Sequence, residues 1–176
     1  AEGALGKSKL LVEAGRVYHD KLGDLDKAAA LFRRALQLDP QSLAAVSPLA
    51  EILYTRKHWE EAVRLYEWGT ARVNQLPKDE QVRLYSRLGE MLMSLGRKED
   101  AVKAYQNARS AVPEDRSMLE RSAAAAYEAG TWGEARALYA ELMSRYGGEL
   151  KGDERVQILF RLGDSKLKAG EIDGAE

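Results

Sequence analysis

Few residues in this chain have the types and spacing that chemistry needs. Ala1-x4-Gly6-Lys7-Ser8 satisfies a relaxed phosphate-loop pattern, with Ala in place of the first Gly. Such a loop needs a strand feeding a cradle of backbone N–H groups, and an acidic strand end for magnesium. The flanking residues carry neither pattern, so a frayed end before the first helix is expected. The two histidines, His19 and His58, stand in no Ser/His/Asp arrangement. His19 and Asp20 are neighbours on an expected helix, where successive side chains diverge by about 100°. His58 sits in a turn beside Trp59. The carboxylate pairs Glu60-Glu61 and Glu99-Asp100 fall where helices begin and complement the helix dipole, worth about 0.3–1 kcal/mol. With no Cys there is neither a disulfide framework nor a thiolate metal site. No catalytic residue, metal site or cofactor is expected.

Composition narrows the class further. The 176 residues are 45% hydrophobic and 31% charged, a globular balance able to bury a sizeable core. With 27 basic against 28 acidic residues, no electrostatic bias favours nucleic acid. No run of about eighteen apolar residues could cross a bilayer, so no membrane partner is expected. Residues 1–9 lack the apolar core of a signal peptide. A cytoplasmic location is favoured, and the Ala/Arg/Glu/Leu-rich composition points to a bacterial source. The absent initiator Met and the ending at Gly174-Ala175-Glu176, inside an expected helix, read as a fragment of a larger protein.

The elements that must position any site are helices. A small residue, an aromatic four later and a small or apolar residue three after that recur down the chain. The sets are Ala28–Phe32–Ala35, Ala62–Tyr66–Gly69, Ala101–Tyr105–Ala108 and Ala135–Tyr139–Leu142, with Ala175 opening a fifth. The leading alanines lie 34, 39, 34 and 40 residues apart, a period typical of stacked helical hairpins. Apolar spacing and Gly or Pro breaks predict helices over 10–21, 26–38, 42–57, 59–74, 79–95, 98–111, 115–129, 132–146 and 153–169. Gly170 opens a tenth. No stretch alternates with a period of two, so no strands are expected.

A longer period overlies the first. Pro40/Pro113, Tyr54/Tyr127 and Trp59/Trp132 are each 73 apart, which reads as a tandem duplication of a four-helix block. Extra residues near 75–78 and 147–151 either lengthen the second helix of alternate hairpins or widen a loop. Trp59 and Trp132 read as packing aromatics. Trp68, whose counterpart is Glu141, is expected against a neighbouring helix or loop, with a partner patch as the alternative. Pro48 either kinks its helix or, with Ser47, marks a late start.

These residues resemble the tetratricopeptide repeat. The third unit matches best, with Tyr85, Leu88-Gly89, Leu92, Gly96, Ala101, Tyr105, Ala108 and Pro113. The first offers Ala14-Gly15, Tyr18, Ala28, Phe32, Ala35 and Pro40, with one extra residue in the turn around Leu22-Gly23. The fifth offers Leu159, Leu162-Gly163, Gly170 and Ala175. Leu49-Ala50 and Ser122-Ala123 replace Leu-Gly in the second and fourth. The resemblance implies an all-α, right-handed superhelical solenoid of helix hairpins. Residues 1–7 would be a leader, and 8–176 a single array with units at about 8–40, 42–76, 79–114, 115–149 and 153–176.

The resemblance also implies that first helices line a concave groove holding a partner peptide or helix. Carried over residue by residue, the groove set is Arg16, Tyr54, Arg83, Arg87, Met93, Arg121, Tyr127 and Arg161, with Val12 and Ser86 among the inward positions. Val12, Ser47, Ser86 and Glu120 stand where chaperone-binding members place the leading Lys of their clamp, which argues against chaperone-tail recognition. As the alternative to partner binding, Arg87, Arg121 and Arg161 would pair with Glu51, Glu90 and Asp164 across adjacent helices. The expected function is a protein–protein interaction scaffold or adaptor. The alternatives are a regulatory or substrate-recruiting arm of a larger enzyme, or a module that self-associates end to end through an uncapped apolar face.

Overall fold

The computed structural model describes residues 2–170, with side-chain surroundings from residue 3 onward. Among the described residues all regular structure is helical. In chain order the α-helices are α1 (Glu2–Arg16), α2 (Leu25–Leu38), α3 (Leu43–Thr55), α4 (Trp59–Thr70), α5 (Lys78–Ser94), α6 (Lys98–Ala111), α7 (Arg116–Ala129), α8 (Trp132–Tyr146) and α9 (Gly152–Lys168). The chain divides into two compact units, Ala1–Trp68 and Gly69–Glu176. Successive helices pack as antiparallel hairpins, with α1 on α2 in the first unit and α5 on α6 and α7 on α8 in the second. The expected tenth helix and Ala175 lie outside the described residues.

The repeated pattern is a packing rule. Ala28, Ala62, Ala101 and Ala135 are all completely buried, and Phe32, Tyr66, Tyr105 and Tyr139 are at most 7% exposed. A side chain larger than methyl at the alanines would hold the two helices of a hairpin apart. On the opposing first helix the contact is a glycine: a Cβ built on Gly15 would lie 2.6 Å from the Phe32 ring, and one on Gly89 2.9 Å from the Tyr105 ring. Real carbon contacts rarely fall below about 3.4 Å, so both sites admit hydrogen alone. Gly163 sits at the equivalent place on α9 and meets nothing within 4 Å. Around it α9 leaves Val156, Leu159, Phe160 and Leu167 exposed, an apolar stripe at helical spacing.

Each hairpin turn carries a left-handed residue five positions before the buried alanine. Gly23, Gly96 and Gly130 adopt it at φ of 64°, 74° and 75°, and Gly170 continues the series. In the turn between α3 and α4 a side chain takes the same conformation, Lys57 at φ 58°. Asp24 and Asp115 cap α2 and α7, their carboxylates accepting from the amides of Lys27 at 3.0 Å and Met118 at 2.8 Å.

Several elements depart from the sequence reading. The helix expected from Leu10 already begins at Glu2, so Gly6-Lys7-Ser8 is helical and no phosphate-cradling loop forms. Gly3 and Gly6 weaken this stretch without ending the helix, and Ser8 pins it down: buried, it donates to the Ala35 carbonyl at 3.1 Å. The extra residue of the first unit lies inside the helix rather than in the turn. It forms a π-turn over Val17–Lys21, in which the Leu22 amide reaches the Val17 carbonyl at 3.2 Å. One residue added to a helix that must keep its buried faces in register is absorbed as a wider turn. Ser47-Pro48 does not mark a late start, because α3 runs unbroken from Leu43 through Pro48. The helix expected to reach Asn74 ends at Thr70, and a short 3₁₀ turn, Val73–Gln75, precedes Pro77. The extra residues there, and those of 147–151, form loops.

Candidate functional site

The aromatic sets of the two units follow the 73-residue duplication. In the first unit Tyr54 of α3 packs against Trp59 and Tyr66 of α4, with ring centroids 5.7 and 6.2 Å apart. In the second, Tyr127 of α7 packs against Trp132 and Tyr139 of α8 at 5.5 and 6.3 Å, edge to face. Trp59 and Trp132 are therefore packing residues, half-buried at the start of their helices. Edge-to-face pairs of this kind stabilise by about 0.5–1.5 kcal/mol beyond their burial.

In the second unit, α9 lays polar side chains over this set. The Arg161 guanidinium lies 5.4 Å from the Tyr127 ring centre and donates to the Tyr139 hydroxyl at 3.0 Å. That bond raises the Arg161 pKa, and the nearby Glu128 carboxylate adds to the effect. The Tyr127 hydroxyl donates to Asp164 at 2.5 Å, and Lys168 pairs with the same carboxylate at 2.7 Å. Lys168 first, then Tyr127, hold the Asp164 carboxyl below its ordinary value. Lys168 also lies 4.3 Å over the Trp132 ring. Asp164, expected to pair with a groove arginine across adjacent helices, turns instead to Tyr127 and Lys168, and Arg161 turns to two tyrosines.

Between α7 and α9 a cavity of about 310 Å³ opens. Tyr139, Leu142 and Ile158, all nearly buried, supply its apolar lining. Its charged groups are Arg121, Arg161, Glu120 and Glu154. Both carboxylates are engaged by Arg116, whose Nε donates to Glu120 at 2.7 Å and whose Nη2 donates to Glu154. Arg121 is exposed and makes no hydrogen bond or ion pair among the described residues.

A larger cavity, about 430 Å³, lies between the second helices α6 and α8. There Arg109 pairs with Glu141 at 2.5 Å, and Gln106 donates to Glu134. The Gln106–Glu134 contact repeats, 73 residues on, a two-pronged pair of the first unit in which Arg33 Nε and Nη2 each reach Glu61 at 2.7 Å. The duplication therefore extends to polar contacts between second helices, a signal the apolar pattern did not carry.

The eight groove residues expected from the sequence fall into different settings. Arg121 and Arg161 meet at one cavity, with Tyr127 beneath Arg161. Met93 packs against the buried cluster of the second unit. Arg83 is exposed on α5 and Arg87 half-buried on the same helix; neither lines the cavity. In the first unit Arg16 ends α1, exposed, and Tyr54 packs in the aromatic set. Two further positions read as inward-facing are core: Val12 is 6% exposed, and Ser86, 9% exposed, donates to the Met118 sulfur at 3.2 Å. Sequence reasoning missed Lys168 and the Arg116 clamp, since neither lies on the repeating pattern.

Catalytic geometry is not found among these side chains. His19 and Asp20, expected to diverge, are bonded at 2.6 Å in the π-turn, in an exposed setting. Among the described residues no three His, Cys, Asp or Glu side chains cluster as metal ligands, and no helix is long and apolar enough to cross a membrane.

Comparison with known proteins fits this architecture. Two tetratricopeptide repeat family models match, over residues 21–75 and 86–149, together more than half of the chain. Solved structures with the same fold include MamA AMB-1, at 21% identity and TM-score 0.64, covering 85% of this chain and 78% of that one. YrrB, described as a TPR protein with an unusual peptide-binding site, aligns at 17% identity and TM-score 0.62 over 93% of this chain and 78% of its own. A Podosopora anserina putative kinesin light chain with nearly identical TPR-like repeats aligns at 19% identity and TM-score 0.58 over 94% and 89%. A comparison with curated protein sequences finds no match. The recurring alanine–aromatic packing, the hairpin order and the two model matches lead to one assignment: this chain belongs to the tetratricopeptide repeat family.

Proposed function

We propose that this chain is a protein-interaction scaffold, and that the first helices α7 and α9 of its second unit hold a partner peptide or helix. The observation that carries the reading is the cavity between them, where an apolar lining meets two guanidinium groups. Apolar contact supplies affinity and a few fixed polar groups supply register. Arg and Tyr are common anchors in such sites. The cavity between α6 and α8 is larger, but there one Arg109 nitrogen and Gln106 already pair with Glu141 and Glu134, leaving the buried Arg109 Nε without a partner. YrrB, similar in fold, is described as binding peptide, which adds support of the same kind.

The test is selection of octapeptides from a random displayed library on the purified chain, followed by amide chemical-shift mapping of a selected peptide. The expected result is shifts concentrated in α7 and α9. Shifts confined to α6 and α8, or no selected peptide at all, would overturn the reading.

A further inference from the structure

We infer that the exposed apolar stripe of α9 pairs, antiparallel, with the same stripe of a second copy of this chain. Val156, Phe160, Gly163 and Leu167 follow one another at intervals of 4, 3 and 4, the spacing of a helix–helix seam. Phe160 is 67% exposed, and Gly163 meets nothing within 4 Å, so the stripe carries a ring without a socket and a socket without a ring. Elsewhere this chain seats aromatic rings on helix glycines, Phe32 on Gly15 and Tyr105 on Gly89. The run of intervals is the same read from either end. A reversed second copy therefore sets Phe160 opposite the partner's Gly163 and Val156 opposite the partner's Leu167, each twice about one two-fold axis. A parallel pair would press ring against ring and leave the two glycines facing each other. On the flank, Lys166 is exposed and makes no ion pair among the described residues, so its aliphatic stem can lie over the partner's exposed Leu159 with the ammonium in water.

Two further observations select a second copy. The first turn of α9 carries Asp153 and Glu154 and its last turn Lys166 and Lys168, so reversal brings acidic end to basic end and opposes the two helix dipoles. The other is the contrast with α5, which α9 repeats at an offset of 74. There Ser86 stands in the place of Phe160, buried, with its hydroxyl 3.2 Å from the Met118 sulfur of α7. A phenyl ring does not fit that spacing, so the α9 stripe is not built for the cover that α7 gives α5. The four apolar side chains offer on the order of 400 Å² per copy, within the range of functional patches on monomers and about half of what each partner gives to a stable complex. The pair is accordingly weak, with a dissociation constant on the order of 10–100 μM. The stripe shares no residue with the α7–α9 cavity, so the inference stands apart from the peptide reading.

The experiment is sedimentation velocity of the 176-residue chain across a dilution series that brackets this constant. A shift from monomer to dimer, with nothing larger, is expected. Phe160→Gly and Gly163→Phe should each weaken association about tenfold or more, and the double variant, which exchanges ring and socket, should restore it. Circular dichroism checks that α9 stays helical in each. A second measurement does not depend on the glycine variant. The chain has no Cys, so Val156→Cys and Leu167→Cys chains can be oxidised separately and together. Together they should link to each other; neither should link to itself, because like positions lie about 16 Å apart across the antiparallel pair. A chain monomeric at every concentration, the outcome if another occupant holds the stripe, would overturn the inference. So would species larger than a dimer, like-with-like disulfides, or an exchanged variant no better than the single ones.

Discussion

Gly89 and Gly163 are counterparts 74 residues apart, yet the structure assigns opposite signs to the same substitution. A methyl at Gly89 would lie 2.9 Å from two atoms of the Tyr105 ring and 3.0 Å from a third. Ordinary contact begins near 3.4 Å, so the ring must retreat by about 0.5 Å. It has little room: Tyr105 is 7% exposed and clustered with Val102, Leu119 and Ala123. Overpacking of this kind costs about 1–3 kcal/mol. Against it stands the gain of replacing a mid-helix glycine by alanine, about 0.5–1 kcal/mol. Gly89→Ala is therefore expected to destabilise by up to about 2.5 kcal/mol, with a mid-range value of about 1. Gly163→Ala meets nothing within 4 Å, so the propensity gain stands alone and the variant is expected to stabilise α9 by about 0.5–1 kcal/mol. A terminal helix of a repeat array opens locally, so the global urea midpoint under-reports it. Amide exchange resolved by residue, alongside the urea curve, reads both effects. A Gly89→Ala variant as stable as Gly163→Ala would refute the argument that Tyr105 closes on Gly89.

Two shorter expectations follow from the same geometry. Lys57→Gly places glycine in the one described hairpin turn where a side chain holds a left-handed conformation, and should stabilise by about 0.5–1 kcal/mol, raising the melting temperature by about 1–4 °C; an unchanged or lower value would mean that Lys57 makes compensating contacts. The Arg33–Glu61 pair should contribute at most about 1 kcal/mol, since both side chains are 42% exposed. Its bond to Arg33 holds the Glu61 carboxyl below the ordinary value of 4.5. A depressed carboxyl contributes stability that is full above that value and is lost as the pH falls through the folded one. The stability difference between the parent chain and Arg33→Ala, taken from urea curves, should therefore be present in full at neutral pH and shrink as the pH falls below the ordinary carboxyl value of 4.5. A difference independent of pH would show that the pair is not ionic in effect.

How much of this was legible beforehand differs by element. The buried alanines and aromatics could be read directly, because a hairpin that closes on a methyl group and fills the space with a ring repeats the same two residue types at the same spacing. The α2, α6 and α8 boundaries followed from Gly, Pro and Asp punctuation. The extra residue of the first unit was legible as a count but not as a place. Gly15 under Phe32 and Ser8 on Ala35 fix the register of α1 on α2, and the structure places the extra residue after them, as a π-turn over Val17–Lys21. Pro48 resisted reading in the same way, since the packing of α3 decides whether a helix runs through a proline.

For the candidate site, the sequence placed Arg121, Tyr127 and Arg161 on first helices but could not pair them. Arg161 and Asp164 are three residues apart and suited to each other by charge, yet Asp164 goes to Tyr127 and Lys168. Which of several long side chains reaches which partner depends on angstrom-level spacing between helices, and a one-dimensional pattern does not hold that spacing. What the sequence determined by itself was the repeat, because every unit must bury one face and so must carry the same small and large residues in order. What only the tertiary structure decided was which charges remain free, because that is a sum over neighbours contributed by α7, α8 and α9 at once.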